Sequence, residues 1–212
     1  MATFQELSEY IQKGNAPKAK EAVSALLAEK ASAGDILNKG LLEGMEKVGQ
    51  KFECNEIYIP EVLIAARAMN QSMEILKPEL VKAGVKPIGK ILLGTVKGDL
   101  HDIGKNLVKM MAQGAGIDVV DLGIDVSPDK FLQAFKDNPD ARAIGISALL
   151  TTTMVGMKDI IQRFEAEGAR KRIKFIVGGA PLTEQFAREI GADGYAPDAA
   201  SAAEKFKAFL RS

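Results

Sequence analysis

The chain of 212 residues has one cysteine, one histidine and no tryptophan. A single cysteine, Cys54, excludes a disulfide within the chain, and with one histidine, His101, it also excludes a zinc site of the Cys/His type. A serine–histidine–aspartate triad would have to use His101. The composition therefore leaves little material for catalysis by side chains alone.

An excess of charge of one sign is also missing. Lys plus Arg and Asp plus Glu number 28 each, so the formal net charge is zero. Residues 1–86 carry 11 basic and 12 acidic side chains, and residues 87–212 carry 17 and 16. A protein that binds nucleic acid by neutralising phosphates normally has a basic excess. We therefore expect no nucleic-acid partner.

Long apolar runs are absent as well. No stretch approaches the roughly 18 apolar residues of a membrane span, and residues 1–15 are polar and charged where a secretory signal would be apolar. We therefore expect a cytoplasmic protein that does not associate with membranes. With 47% apolar and 26% charged residues, the chain can form a proper core.

Residues 1–86 have a helical pattern. Apolar residues recur at three- and four-residue intervals in four segments, and Pro17 and Pro60 lie at the starts of the second and fourth. Short connections between four helices predict a four-helix bundle, with an irregular stretch at 51–59. Residues 81–87 are the expected linker to a second domain, 87–212.

In residues 87–212 short apolar runs alternate with amphipathic segments. Five such repeats predict an α/β domain, a flavodoxin-like (Rossmann-type) five-stranded parallel sheet with helices on both faces. The expected strands are 89–96, 117–122, 143–147, 173–177 and 194–196. In such sheets a ligand lies beyond the carboxyl ends of the strands, where the strand order reverses.

The loop after the first of these strands contains the histidine. Asp99 precedes His101 by two residues, where a carboxylate can fix the tautomer of the ring and raise its basicity. One histidine cannot hold a bare metal tightly, but it can be an axial ligand of a metal that a macrocycle already holds. Most histidines in loops are ordinary polar surface residues or caps, and this interpretation stays open at this point.

The motif Asp99-x-His101-x-x-Gly104 resembles the signature of cobalamin-binding domains that bind their cofactor with its own base displaced. The longer segment 94–106 is similar to the corrinoid module of methionine synthase and to stand-alone methyl-carrying corrinoid proteins. The resemblance implies cobalamin or a related corrinoid, bound base-off, with His101 as the lower axial ligand of cobalt. Further residues implied to bind the cofactor are Val96, Gly98, Asp99, Leu100, Asp102, Ile103 and Gly104.

Residues 146–153, after the third strand, resemble the Ser-x-Leu-x-Thr stretch of this family. That stretch implies contact with the displaced nucleotide tail by Ser147, Leu149 and Thr151. In the methionine synthase pattern a serine two residues further on binds the ligand aspartate. Thr153 stands at that place here, so the resemblance implies a hydroxyl relay from Thr153 to Asp99. The threonine run is equally suited to an ordinary helix N-cap.

Two C-terminal segments extend the match. Gly178 and Gly179 follow the fourth strand, where the resemblance implies that the nucleotide tail passes close to the backbone, although the pair alone is typical of any turn. Segment 191–199 is similar to the last strand and loop of the family, which implies that Tyr195 and Ala196 flank the tail.

The helical half resembles the family as well. Segments 48–53 and 57–62 are similar to the helical cap that covers the methyl-bearing face of the corrin, which implies contact by Phe52 and Ile59. Without the motif at His101, ordinary bundle core would be the better interpretation of both side chains. If the cap moves aside for transfer, the linker 81–87 is the expected hinge.

The resemblance implies a protein that carries a methyl group on cobalt, with His101, Asp99 and Thr153 adjusting the axial bond. It is not expected to be catalytic alone. The implied partners are a donor-specific methyltransferase, an acceptor methyltransferase that uses a folate or a thiol coenzyme, and a reductive activator. The alternatives are a cobalamin-dependent sensor or regulator, a mutase-type cobalamin-binding subunit, and a plain flavodoxin-like protein that binds a nucleotide or nothing.

Overall fold

The computed structural model of the chain describes residues 2–211. The chain forms two compact units, one made of the residues up to Pro87 together with Gly114–Gly116, and the other of the remaining residues from Ile88 onward. Within the described range, no helix has both the length and the apolar character that crossing a bilayer requires.

The first unit is helical. Its elements are α1 (Phe4–Gln12), α2 (Ala16–Ala28), α3 (Ala33–Asp35), a π-helical segment (Ile36–Leu42), α4 (Glu43–Glu53) and α5 (Ile59–Lys82). The third predicted helix is thus continuous from α3 to α4, with a widened middle that the apolar spacing does not indicate.

Two boundaries in this unit differ from the prediction. Helix α4 continues to Glu53 because the left-handed residue that ends it, with φ of +58°, is Asn55. Helix α5 continues to Lys82 because Gly84, with φ of +68°, provides the corresponding end. The predicted irregular stretch and the predicted linker therefore both begin later than the sequence indicates.

Glycines let the helices of this unit pack closely. A Cβ at Gly40 would lie 2.5 Å from Leu7 Cδ2, and one at Gly44 would lie 2.8 Å from Ile11 Cβ. Leu7 and Ile11 are fully buried on α1. The core of the unit is therefore built around the close approach of α1 to the π-helical segment and α4.

The second unit is a five-stranded parallel sheet in the order β2-β1-β3-β4-β5. Its strands are β1 (Lys90–Val96), β2 (Asp118–Val126), β3 (Ala141–Ser147), β4 (Lys174–Gly178) and β5 (Gly194–Ala196). Its helices are α6 (Ile103–Gly114), α7 (Pro128–Asp137), α8 (Thr151–Met154), α9 (Gly156–Ala166), α10 (Glu184–Glu189) and α11 (Ala199–Arg211). The predicted flavodoxin-like fold is confirmed, and the strand order reverses at β1 and β3.

Strand β2 is longer than predicted, because it continues through irregular pairing to Val126. Its register against β1 shifts around Gly94, and Gly123 and Asp125 have φ of +84° and +52°. Such bulges bend a strand without ending it, and Asp121, Gly123 and Asp125, which interrupt its apolar residues, conceal this from a reading of hydrophobicity. The extension brings β2 to the same edge as the loop after β1.

Candidate functional site

The loop after β1 places His101 at the carboxyl edge of the sheet. Gly98 turns the chain there with φ of +81°, which glycine adopts without strain. The amide of Asp99 closes the turn by donating to the carbonyl of Val96 at 3.2 Å. The Asp99 side chain is consequently fully buried, whereas the side chain of His101 is 52% exposed.

Both carboxylate oxygens of Asp99 are hydrogen-bonded. Oδ1 accepts from the amide of His101 at 3.1 Å and lies 2.9 Å from His101 Nδ1. Oδ2 accepts from the amides of Leu149 (2.7 Å) and Leu150 (3.3 Å) and from the hydroxyl of Thr153 (2.7 Å). The segment after β3 thus closes over the carboxylate that the loop after β1 supplies.

These donors decide the charge of Asp99. Burial by itself raises the pKa of the carboxyl, but the hydrogen bonds from Leu149, Thr153 and His101 together outweigh it. The pKa of Asp99 is therefore held far below its usual range. The carboxylate stays anionic at neutral pH and accepts every hydrogen bond directed at it.

An anionic Asp99 fixes the tautomer of His101. Because Oδ1 is an acceptor, His101 Nδ1 carries the hydrogen of the neutral ring, and Nε2 keeps its electron pair. The half-exposed ring can therefore offer Nε2 to a metal. Among residues 2–211, no group of three or more His, Cys, Asp or Glu side chains is arranged to hold a metal ion.

Large apolar side chains surround this polar cluster and are exposed. Leu100 is 68% and Ile103 is 71% exposed in the loop after β1. Leu149, Leu150 and Val155 are exposed in and after the loop that follows β3. Such a concentration of exposed aliphatic groups marks a surface that binds a sizeable apolar partner or ligand. An imidazole donor within an apolar rim fits a corrinoid, whose macrocycle leaves axial positions of the cobalt for protein ligands.

Two residues that the sequence analysis did not single out hold the loop in place. Thr95 is fully buried on β1, and its hydroxyl donates to the carbonyl of His101 (3.1 Å) and is hydrogen-bonded to the hydroxyl of Ser147 (2.8 Å). Asp125 on β2 accepts from the amide of Gly98 at 2.7 Å. A threonine in an otherwise apolar strand is a sequence signal that could have identified Thr95. Asp125 could not be identified in this way, because its position depends on the bulge in β2.

A buried ion pair fixes the start of α6. Lys105, almost fully buried, donates to Asp121 Oδ1 on β2 at 2.7 Å and to Asn106 Oδ1 at 2.8 Å, and Lys109 donates to Asp121 Oδ2 at 3.1 Å. Burial raises the pKa of Asp121, but the hydrogen bonds from Lys105, from the amide of Gly123 and from Lys109 together more than compensate, so the pKa lies below its usual value. The helix after the histidine loop is thereby tied to β2.

Two family models, each described as a B12 binding domain, match residues 89–204 and residues 3–77. The chain belongs to the B12-binding family. The resemblance inferred from the motif at Asp99 and His101 is thereby confirmed, and the two matches divide between the helical and the α/β parts of the chain.

Known proteins are similar to this chain along most of their length. Dimethylamine corrinoid protein 3 of Methanosarcina acetivorans is 45% identical, over 91% of this chain and 90% of that protein. A cobalamin-binding protein from Desulfitobacterium hafniense has a TM-score of 0.82 at 30% identity, with 98% of each chain covered. A chain of the methanol:cobalamin methyltransferase complex from Methanosarcina barkeri has a TM-score of 0.85 at 28% identity, covering 97% of this chain and 78% of that one.

Other predicted site residues of this B12-binding chain lie around the same cluster. Asp102 accepts from the side-chain amide of Asn106 at 3.0 Å at the start of α6. A Cβ on Gly104 would meet no atom within 4 Å, so the space beside it is open. Val96 is fully buried in the core, and Thr151 is exposed at the start of α8. Their contacts with a cofactor stay predictions.

Close backbone contacts within the protein require glycine at positions 178 and 179. Gly179 has φ of +135°, and a Cβ there would overlap the carbonyl oxygen of Ala148. A Cβ at Gly178 would lie 2.9 Å from the carbonyl oxygen of Ala196. The glycines therefore allow the ends of β3, β4 and β5 to approach one another. The predicted contacts of Gly178, Gly179, Ala196 and the half-buried Tyr195 with a nucleotide tail stay predictions.

The helical unit of this B12-binding chain has an exposed apolar patch of its own. It consists of Tyr58, which is 67% exposed, and of Ile59, Leu63 and Ile64 at the start of α5. Phe52, near the end of α4, is half-buried. Ile59 is thus on the surface and not in the bundle core, and Tyr58 is a patch residue that the sequence analysis did not name.

Proposed function

We propose that this protein is a methyl carrier that holds a corrinoid base-off, with His101 Nε2 as the lower axial ligand of cobalt. The observation that carries the proposal is the half-exposed imidazole of His101, held by the buried Asp99 carboxylate inside a rim of exposed aliphatic side chains. When bound, the corrinoid supplies a cobalt atom that can accept and release a methyl group.

Each residue of the cluster has a part in this proposal. Asp99 keeps the hydrogen of His101 on Nδ1, so Nε2 keeps its electron pair for a metal. Thr153 and the amide of Leu149 stabilise the anionic form of Asp99 that does this. His101 would therefore hold the cobalt through Nε2, and the corrinoid would supply the metal centre that carries the methyl group.

We propose that the apolar surfaces exclude water. Leu100, Ile103 and Leu149 would cover the lower face of the macrocycle, and the patch at Tyr58 and Ile59, with Phe52, would shield the methyl-bearing face. Shielding of a reactive group requires a movable cover, for which the linker after α5 is the proposed hinge.

The proposed partners are methyltransferases. The similarity to a protein named for dimethylamine, at 45% identity, and to a chain of a methanol:cobalamin methyltransferase complex, at 28%, supports a donor methyltransferase for a small methylated compound. An acceptor methyltransferase that uses a folate or a thiol coenzyme would remove the methyl group. A reductive activator would restore the cobalt after accidental oxidation.

The axial ligand is tested with methylcobinamide, a corrinoid that lacks the nucleotide base. Any nitrogen ligand below cobalt must then come from the protein, so with this corrinoid a base-on spectrum means that a protein nitrogen binds cobalt and a base-off spectrum means that none does. We expect the wild-type complex to have the red colour of base-on methylcorrinoids. His101→Ala should give the yellow base-off spectrum. Lys97→Ala, an exposed change in the same loop, is the matched control and should resemble wild type. Identical spectra for wild type and His101→Ala would show that His101 is not the ligand.

The carrier role is tested by methyl loading of the reduced holoprotein. Donor methyltransferases for dimethylamine, trimethylamine and methanol are supplied one at a time with their substrates. We expect one of them to convert the protein to its methylated form within a few turnovers. Absence of methylation with all three, while free cobalamin is methylated under the same conditions, would contradict a carrier role for these donors.

A further inference from the structure

We infer that Asp125 is a positioning residue for His101, acting from β2 through the backbone of the turn at Gly98 and Asp99. The inference rests on the proposed role of His101 as the axial ligand. Asp125 lies outside the Asp99-x-His101-x-x-Gly104 motif. Its hydrogen bonds to this loop go to the backbone of Gly98 and Asp99.

Two hydrogen bonds connect Asp125 to the turn. Its Oδ1 accepts from the amide of Gly98 at 2.7 Å, and its own amide donates to the carbonyl of Asp99 at 3.1 Å. The two bonds hold the peptide groups on either side of the peptide that joins Gly98 to Asp99. This peptide directs the Asp99 side chain into the protein, and hence sets where the ring of His101 is held.

The backbone conformation of Asp125 indicates that its carboxylate has a structural role. Asp125 has φ of +52°, a left-handed conformation that costs a residue with a Cβ roughly 1 kcal/mol and that glycine adopts freely. Aspartate and asparagine are the side chains that tolerate it best. Asp125 is exposed and its backbone is strained, and its carboxylate accepts a hydrogen bond of 2.7 Å from the amide of Gly98. These features fit a residue whose role is to make that bond.

The position of Asp125 in the sheet complements the other anchors. The bonds to Asp99 Oδ2 come from the segment after β3, from Leu149, Leu150 and Thr153. Strand β1 lies between β2 and β3, so Asp125 holds the same turn from the opposite neighbour. The histidine loop is thereby fixed from both sides, which presets His101 for an axial bond before the corrinoid binds.

Three forms of the full-length protein separate the acceptor from the backbone conformation. Asp125→Gly removes the acceptor and relieves the left-handed strain, whereas Asp125→Asn keeps both an acceptor and a tolerated left-handed residue. The first measurement is amide hydrogen exchange of Gly98 in the cofactor-free protein. We expect Asp125→Gly to exchange about tenfold faster or more at Gly98, and Asp125→Asn to stay close to wild type.

The second measurement is the spectrum with methylcobinamide. We expect wild type and Asp125→Asn to be base-on, and Asp125→Gly to contain a clear base-off fraction at the same temperature and protein concentration. Unchanged Gly98 exchange in Asp125→Gly would overturn the inference. So would faster exchange with a fully base-on spectrum, because the bond would then exist without positioning His101.

The two proposals fail in distinguishable ways. If His101→Ala matches wild type with methylcobinamide, the ligand role of His101 is wrong, and the positioning role of Asp125 is wrong with it. If His101→Ala is base-off and Asp125→Gly is as fully base-on as wild type, only the inference about Asp125 is wrong. Far-ultraviolet circular dichroism shows whether Asp125→Gly is folded. Loss of exchange protection at the Gly98 amide alone, with other amides unchanged, supports the positioning role of Asp125.

Discussion

Each unit contains a close lysine–carboxylate pair, and the two pairs differ in burial. Lys105 and Asp121 lie 2.7 Å apart in the α/β unit with side chains 2% and 20% exposed. Lys47 and Glu43 lie 2.6 Å apart in the helical unit with side chains 42% and 46% exposed. Nearly the same contact distance therefore occurs in two very different environments.

The difference reflects what each unit must hold. The α/β unit buries Asp99, Lys105 and Thr95 at or near the carboxyl edge of its sheet, whereas the polar side chains that the described part of the helical unit buries are Ser8 and Ser72. Burying charge is costly, and it fixes geometry only where every partner is present. The unit with the proposed ligand thus fixes polar side chains in buried positions, whereas the described part of the helical unit has a mainly apolar core.

The largest expected effect comes from breaking the buried pair. Asp121→Asn leaves Lys105 buried without its counter-charge, so we expect the free energy of unfolding to fall by about 3–5 kcal/mol at pH 7. Glu43→Gln should cost less than about 0.5 kcal/mol, because an exposed pair on a helix contributes little. Urea unfolding of both variants measures the contrast, and equal losses would contradict the comparison.

The Lys105–Asp121 pair makes the free energy of unfolding depend on pH. The pKa of Asp121 is lowered in the folded protein, so its stabilisation is complete above the unfolded carboxyl pKa of about 4 and is lost as the pH falls below it. The gap between wild type and Asp121→Asn should therefore narrow from pH 7 to about pH 3.5. A constant gap would mean that the pair is not ionic.

An intermediate effect is expected where the ends of the strands meet. Gly179→Ala forces a Cβ against the carbonyl of Ala148 at a φ of +135°, so we expect a loss of about 3 kcal/mol. The contrast within the helical unit is Gly40→Ala, where the neighbour is the flexible side chain of Leu7. That variant should lose about 1–2 kcal/mol, because Leu7 can yield and alanine favours a helix.

A control for glycine removal as such is Gly156→Ala, because a Cβ there meets no atom within 4 Å. Thermal unfolding should give Gly156→Ala a midpoint equal to that of wild type or slightly higher. If Gly179→Ala were as stable as Gly156→Ala, the close approach to Ala148 would not constrain the residue.

A small effect on stability is expected at the apolar patch and the neighbouring Phe52. Tyr58→Ala and Phe52→Ala should change the free energy of unfolding little, by less than about 1 kcal/mol, yet increase photolysis and oxidation of the methylated cofactor several-fold. Val81→Ala, at an equally exposed position outside the patch, is the control. Unchanged photolysis in both Tyr58→Ala and Phe52→Ala would contradict the shielding role.

Much of this arrangement was readable from the sequence, because local spacing carries it. The alternation of apolar runs and amphipathic segments predicted the parallel sheet, and the motif around Asp99 and His101 predicted which loop contains the polar cluster. The resemblance to the corrinoid family implied that Thr153 reaches Asp99, and its hydroxyl lies 2.7 Å from the carboxylate. These features depend on residues near one another or on a strand order with few alternatives.

The remaining features depend on long-range geometry. The hydrogen bond from the amide of Gly98 to Asp125 joins the loop after β1 to β2 and requires a bulge that no hydrophobic pattern reveals. The π-helical segment and the overlap at Gly179 arise from tertiary packing, where close approach overrides local propensity. The exposure of Tyr58 likewise depends on how α5 packs, since an aromatic residue beside a helix start usually belongs to the core.

His101 is the only imidazole in the chain, and it lies at the proposed ligand position. With ¹⁵N-labelled histidine, every imidazole signal of this protein comes from one residue, so the ring resonances need no assignment to a position in the sequence. Its ring is held at Asp99 and half-exposed, so loss of the Nδ1 bond, proton uptake at Nε2 and metal ligation would each shift the same pair of nitrogen signals. The state of the carrier can thus be followed in the presence of an unlabelled methyltransferase, whose own histidines remain silent.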